Sequence, residues 1–184
     1  MKRIIKNDDS DIITENLNYT TRTQRPRIIE ILLDEQNYFC AYTEERFAPT
    51  IAFEIEHFNP DHDSAEYNTY NNWFAACRSW NLIKKDEQWH NLQPILHPTA
   101  KDLEARIIYD DGYYIHKPDD TPAKNLKVFL DLNNLALVTE RRNYIGQLRT
   151  IQDAGIPLTA YLANHPQFIR FRRAIETEFL IELQ

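Results

Sequence analysis

Residues 54–63 read EIEHFNPDHD, and the organisation of the chain turns on them. Apolar and acidic residues alternate up to a histidine, as in a strand with one face turned inward, and Asn59-Pro60 then ends the extended run. Glu56 and His57 therefore stand together where a strand ends. The loop NPDHDSAEYNTYNN follows, and the segment beyond it, NNWFAACRSWNLIKKD, carries Asn72, Cys77, Arg78, Asn81, Lys84 and Lys85.

Tyr38 to Tyr42 and Ile51 to Ile55 are strand-like, and the polar loop with Pro49 between them predicts a β-hairpin with a long turn. Asn72 to Asp86 is expected to hold a short helix, giving the order strand, strand, helix. Before this unit, Pro26 to Gln36 has helical spacing, with Ile28, Ile29, Ile31, Leu32 and Leu33 forming a broad apolar face. After it, RIIYDDGYYIHK alternates on both sides of Asp111-Gly112, a pair that favours a tight turn, so a second hairpin is expected. From about Ala123 the pattern is helical, with breaks near Asn133-Asn134, Gly155-Ile156-Pro157 and His165-Pro166. The predicted fold class is α+β. It comprises an N-terminal segment and helix (1–37), a ββα unit (38–92), and a hairpin with a helical region (93–184), packed as one domain.

Composition narrows the chemistry. A chain of 184 residues with 42% hydrophobic content buries a sizeable core. Its net charge of −7 argues against holding nucleic acid by bulk electrostatics, because phosphate binding works by replacing counterions with Lys and Arg. Any such contact must be local or supplied by a partner. Three glycines leave no Gly-rich phosphate loop. Protease and esterase signatures, H-E-x-x-H and G-x-S-x-G, do not occur. The start, MKRIIKNDD, is followed by no apolar segment of the secretory kind, and two cysteines are too few for a disulfide framework, so a cytoplasmic location is expected.

The set Glu56-His57, Asn72 and Asn81-x-x-Lys84, in that order, resembles the HNH nuclease family, in which a β-hairpin and a following helix pinch one divalent metal. The resemblance implies a ββα-metal finger within a mainly helical domain. It also implies a phosphodiester hydrolase acting on DNA or RNA with Mg²⁺ or Mn²⁺. His57 is suited to be the general base at neutral pH. Glu56 and Asn81 offer hard oxygen ligands for the metal, Glu56 standing where the family more often has Asp. Asn72, with Asn71 as the alternative, would bind backbone across the loop and fix the strand that carries His57. Lys84, with Lys85 and Arg78 beside it, would hold substrate phosphate. Asp61, His62 and Asp63 are read as exposed loop.

Family members often carry Cys-x-x-Cys ahead of the hairpin and again on the helix, holding a structural zinc. Here CAYT and CRSW keep Cys40 and Cys77 but place Thr43 and Trp80 at the other two positions, and two thiolates make a poor tetrahedral site. No structural zinc is expected; Trp80 and Tyr42 are expected to fill the space, with His62 or His90 as the alternative completing ligand. MKRIIK, PILHPTAKD with its DG hairpin, and LDLNNLALVTERR (130–142) resemble the HNH proteins that accompany an ATPase in bacterial anti-phage defence, the Septu-type and retron-associated group. That implies an ABC- or SMC-like ATPase partner, docking on the helices from Leu126 onward. Two other readings stay open: an HNH-like module that binds or scaffolds without cutting, and an autonomous restriction-type nuclease.

Overall fold

The structure, a computed structural model, describes residues 1–48, 50–61, 63–64 and 66–183. His62, and Pro49 of the expected turn, lie outside the described residues. The chain is mixed α/β with two small antiparallel hairpins. Its elements are α1 (Asp11–Thr14), α2 (Arg25–Glu35), β1 (Phe53–His57), β2 (Trp73–Cys77), α3 (Arg78–Asn81), α4 (Leu103–Arg106), β3 (Ile108–Asp110), β4 (Tyr113–Ile115), α5 (Thr121–Phe129), α6 (Leu135–Asp153), α7 (Leu158–Asn164) and α8 (Arg172–Phe179). Among the described residues no helix is long and apolar enough to cross a membrane.

The order strand, strand, helix is present, but its strands are not those expected. β1 runs from Phe53 to His57 and pairs with Trp73–Cys77, in the register Phe53 opposite Cys77 and His57 opposite Trp73. Tyr38 to Tyr42 forms no strand and makes only the isolated bridge Phe39 to Arg46. Asn37, Tyr38 and Glu44 all take positive φ, which an extended strand cannot accommodate. The helix expected over Asn72–Asp86 shrinks to Arg78–Asn81 because WFAAC is a strand buried along its whole length. A short apolar run of this kind has no alternation to distinguish a buried strand from a buried helix.

The far edge of β2 is closed by a side chain. Gln36, just past the end of α2, accepts from the Ala75 amide at 2.9 Å and donates to the Ala75 carbonyl at 2.8 Å, as a neighbouring strand would. The Ala41 amide also donates to Ala75 O, at 3.0 Å. Buried polar groups are thus paired without a third strand.

Two apolar clusters hold the hairpin. Side chains of successive strand residues point to opposite faces, so Phe53, Ile55, Trp73 and Ala75 face one way and Phe74 and Ala76 the other. The first set packs on Ile28, Ile31, Leu32 and Leu33 of α2. The second joins the main core, which extends from Tyr42 and Phe58 through Leu103, Leu126 and Phe129 to Ile145 and Ile175. The hairpin is therefore sandwiched between α2 and the helical body.

The second hairpin forms around Asp111-Gly112, both with positive φ as a tight two-residue turn requires. A Cβ on Gly112 would lie 2.8 Å from Arg142 Cγ, so glycine is also demanded by close approach. Arg141 is fully buried beneath this turn and donates to the carbonyls of Gly112 and Leu132. The helix breaks fall at Asn134, whose side chain caps α6 by accepting from Ala136 N at 3.1 Å, and at Gly155 and His165.

Candidate active site

His57 ends β1 and is 6% exposed. Its Nε2 lies 3.1 Å from Asn68 Oδ1, and the same oxygen accepts the indole N–H of Trp73 at 3.1 Å. An indole nitrogen only donates, so the Asn68 atom facing it is the oxygen. His57 Nε2 must therefore carry its proton, which puts the lone pair of the neutral ring on Nδ1. Tyr19 meets the imidazole edge-on with ring centroids 4.5 Å apart, and Trp73 flanks it at 6.3 Å. The ring is thereby fixed in both orientation and tautomer.

Asn72 precedes β2 and spans the loop. Its Oδ1 accepts from Asn59 N at 2.7 Å, and its Nδ2 donates to Asn59 O at 2.9 Å and to Tyr67 O at 2.7 Å. The Phe58 amide donates to Asn72 O at 3.0 Å. One buried asparagine thus ties both ends of the loop between β1 and β2 and positions His57 from behind.

Glu54 and Glu56 share the other face of β1. Glu56 is buried, and burial pushes its carboxyl up to about 7; Lys84 opposes that shift, while Asp86 and Glu54 add to it. The Lys84 side chain is 1% exposed; its ammonium contacts Glu56 Oε1, donates to His57 O at 2.6 Å and pairs with Asp86 at 2.9 Å. Lys84 is therefore turned inward onto the carboxylates. Asn81, on α3, donates from Nδ2 to Glu54 Oε1 at 2.7 Å. Its Oδ1 is a buried acceptor with no donor among the described residues.

These groups line a cavity of about 250 Å³ with Glu54, Ile55, Glu56 and His57 along one wall and Asn81, Lys84 and Asp86 along another. Four consecutive strand residues line a single cavity only where it follows the strand's edge, and no β2 residue takes part. The cavity thus follows the unpaired edge of β1, which lets Glu56 and His57 serve one space although they point to opposite faces.

Carboxylates and an amide oxygen lacking a donor fit a hard divalent cation in chemical type. Among the described residues no group of three or more His, Cys, Asp or Glu side chains is placed to hold a metal. Lys84 instead satisfies Glu56.

The remaining expected positions separate. Arg78 lies on the surface of α3, 3.9 Å from Glu54, and Lys85 is half-buried, its amide donating to Phe129 O at 3.0 Å. Cys40, Thr43 and Cys77 do meet in the core: the Cys77 amide donates to Cys40 Sγ at 3.2 Å, and Thr43 Oγ1 lies 4.0 Å from Cys77 Sγ. Trp80 packs against the main cluster, and Tyr42 is buried against Phe74. His90 is exposed and lies 3.4 Å from Asp61.

Sequence reasoning missed Asn68, Tyr19, Glu54 and Asp86. For Glu54 a signal existed, since the alternation in EIE sets both carboxylates on one face. Asn68 and Tyr19 reach His57 only through the fold. The chain matches no protein-family model and no curated protein.

Proposed function

We propose that this protein is a metal-dependent endonuclease of the HNH type that hydrolyses phosphodiester bonds of DNA. The observation that carries the reading is the meeting of His57, Glu56 and Asn81 on one small cavity while Asn72 clamps the loop behind it. A second support is the order β1, β2, α3, a ββα succession with the acid-histidine pair at the end of its first strand.

Hydrolysis requires a base for the attacking water, charge neutralisation on the phosphate and a path for the departing 3′ oxygen. His57, held by its contact with Asn68, is the group that takes the water proton. As the water oxygen bonds to phosphorus, the bond from phosphorus to the 3′ oxygen breaks, and the departing 3′ oxygen takes up a proton from solvent water. Tyr19 and Trp73 hold the imidazole plane, so little reorientation precedes proton transfer. Glu56 and Asn81 would hold Mg²⁺ or Mn²⁺, which supplies neutralisation of the phosphate charge. Lys84 meanwhile keeps the Glu56 carboxylate compensated.

The proposal extends to a partner. An acidic chain gains substrate affinity from a protein that carries a DNA surface, and the resemblance to defence-associated HNH proteins points to an ABC- or SMC-like ATPase seated on the helices from Leu126 onward. A second reading, a module that binds without cutting, is favoured by one observation: Lys84 already occupies Glu56.

The test is cleavage of supercoiled plasmid with Mg²⁺ or Mn²⁺, alone and with an added ABC- or SMC-like ATPase. Wild type is expected to nick or linearise it, and His57→Ala to lose about 10²–10⁴-fold of that rate, the usual worth of a general base. Metal-dependent cutting in neither setting would move the assignment to the binding module.

A further inference from the structure

A second cavity, of about 540 Å³, opens beside the first between the start of α2 and β1. The two share Tyr19, Glu54 and Ile55 in their linings, so they form one continuous depression along β1. Two arginines, Arg22 and Arg25, stand on its wall.

The arginines at this end of α2 are held differently. Arg27 is consumed by Asp11, Glu15 and Glu30. Arg25 lies over the Tyr19 ring, its guanidinium carbon 4.2 Å from the centroid, and its Nε donates to Tyr19 O at 2.8 Å. That leaves the terminal nitrogens of Arg25 with no hydrogen bond or ion pair among the described residues, and Arg22 is exposed with none either. A guanidinium held over a ring and fixed through Nε presents a pre-organised fork, the geometry that matches a phosphate's two oxygens. Glu54, the carboxylate between the two cavities, is already engaged by Asn81 at 2.7 Å and lies 3.9 Å from Arg78.

Tyr19 links the two places physically. Arg25 lies over its ring, and the same ring forms a T-shaped pair with His57, centroids 4.5 Å apart. We infer that the Arg22–Arg25 groove is the seat of the substrate backbone, holding the phosphates of duplex DNA that flank the scissile one and so setting which bond reaches His57. This rests on the nuclease reading for the position of the scissile phosphate. With a net charge of −7 the protein as a whole repels a polyanion, so any phosphate contact made by this chain itself needs a local basic track of this kind.

The experiment is fluorescence anisotropy of a labelled DNA duplex across a salt series without divalent metal, in a His57→Ala background, alongside the plasmid assay. Arg22→Ala/Arg25→Ala is expected to bind about tenfold more weakly and to lower the slope of log K against log salt by about 2, near one for each phosphate no longer neutralised. Arg22→Lys/Arg25→Lys should restore most of the slope. Because Arg25 packs on Tyr19, the single exposed Arg22→Ala keeps the fold and should carry about half of the slope change. Unchanged affinity and slope in the alanine variants overturn the groove, even where the plasmid assay shows His57-dependent cutting. Absence of duplex binding at the lowest salt also overturns it. Arginine-dependent binding with an uncut plasmid retains the groove and removes the nuclease.

Discussion

At the scale of single residues, Lys84 and Glu56 decide most about each other. Both side chains are almost wholly excluded from water, at 1% and 5% exposure, so neither charge has solvent to fall back on. Removing one member of such a pair strands the other, and the penalty exceeds what the pair contributes when intact. Lys84→Met is expected to lower folding stability by about 3–5 kcal/mol in chemical denaturation. The double variant Glu56→Gln/Lys84→Met should recover much of that, because no unpaired charge stays buried. A single variant as stable as wild type would show that Glu56, its carboxyl already raised to about 7 by burial, takes up a proton once Lys84 is gone. The burial of the pair follows from the local chain path: α3 is one turn long, and the chain beyond it turns Lys84 under β1.

At the scale of elements, the loop between β1 and β2 depends on Asn72. Three hydrogen bonds from one buried side chain reach Asn59 and Tyr67, and all are partly buried, so leaving the backbone partners unsatisfied costs more than the bonds contribute individually. Asn72→Ala is predicted to destabilise by about 2–4 kcal/mol at roughly 1 kcal/mol or more for each group left bare. Amide exchange should accelerate in residues 59–68 before it does in α6, and uniform acceleration would show that the loop is not an independent unit. Asn72→Asp should fare no better, since a carboxylate cannot donate to the carbonyls of Asn59 and Tyr67.

At the scale of the whole molecule, the hairpin is joined to the helical body through an aromatic cluster. Phe58 meets Trp89, His97 and Phe129 with centroids 5.0–5.6 Å apart, and Phe74 lies 5.9 Å from His97. Burial in this setting, with Lys6 adding to it, lowers the His97 pKa to about 4. The unfolded chain, with an ordinary histidine near 6.5, binds more protons than the folded one between those values. The stability contributed by His97 is therefore fully present above pH 6.5 and lost as pH falls towards 4, on the order of 3 kcal/mol at most. Thermal unfolding followed from pH 7 to 4 should show this decline, and His97→Gln should flatten it. An equal decline in the variant would assign the acid sensitivity elsewhere.

How much was legible in the sequence follows the range of the forces involved. α2, the second hairpin and the breaks before α6 and α7 are written locally, in helical spacing, in an Asp-Gly turn and in Asn134 as a cap. The neighbouring positions of Glu56 and His57, and Asn81 further on, could be read as a set from order and residue type alone. The strand pairing could not: WFAAC is apolar throughout, and only packing between α2 and the main core makes it a strand. Nor could the inward turn of Lys84, the hold of Asn68 on His57, or the approach to the site of Arg25, which opens α2, and of Tyr19, which precedes it. Each depends on residues that the chain separates and the core brings together. Residue type and order tell which functional groups the side chains carry. Which of them share a space was settled only in the folded chain, because burial fixes the partner of every charge it encloses.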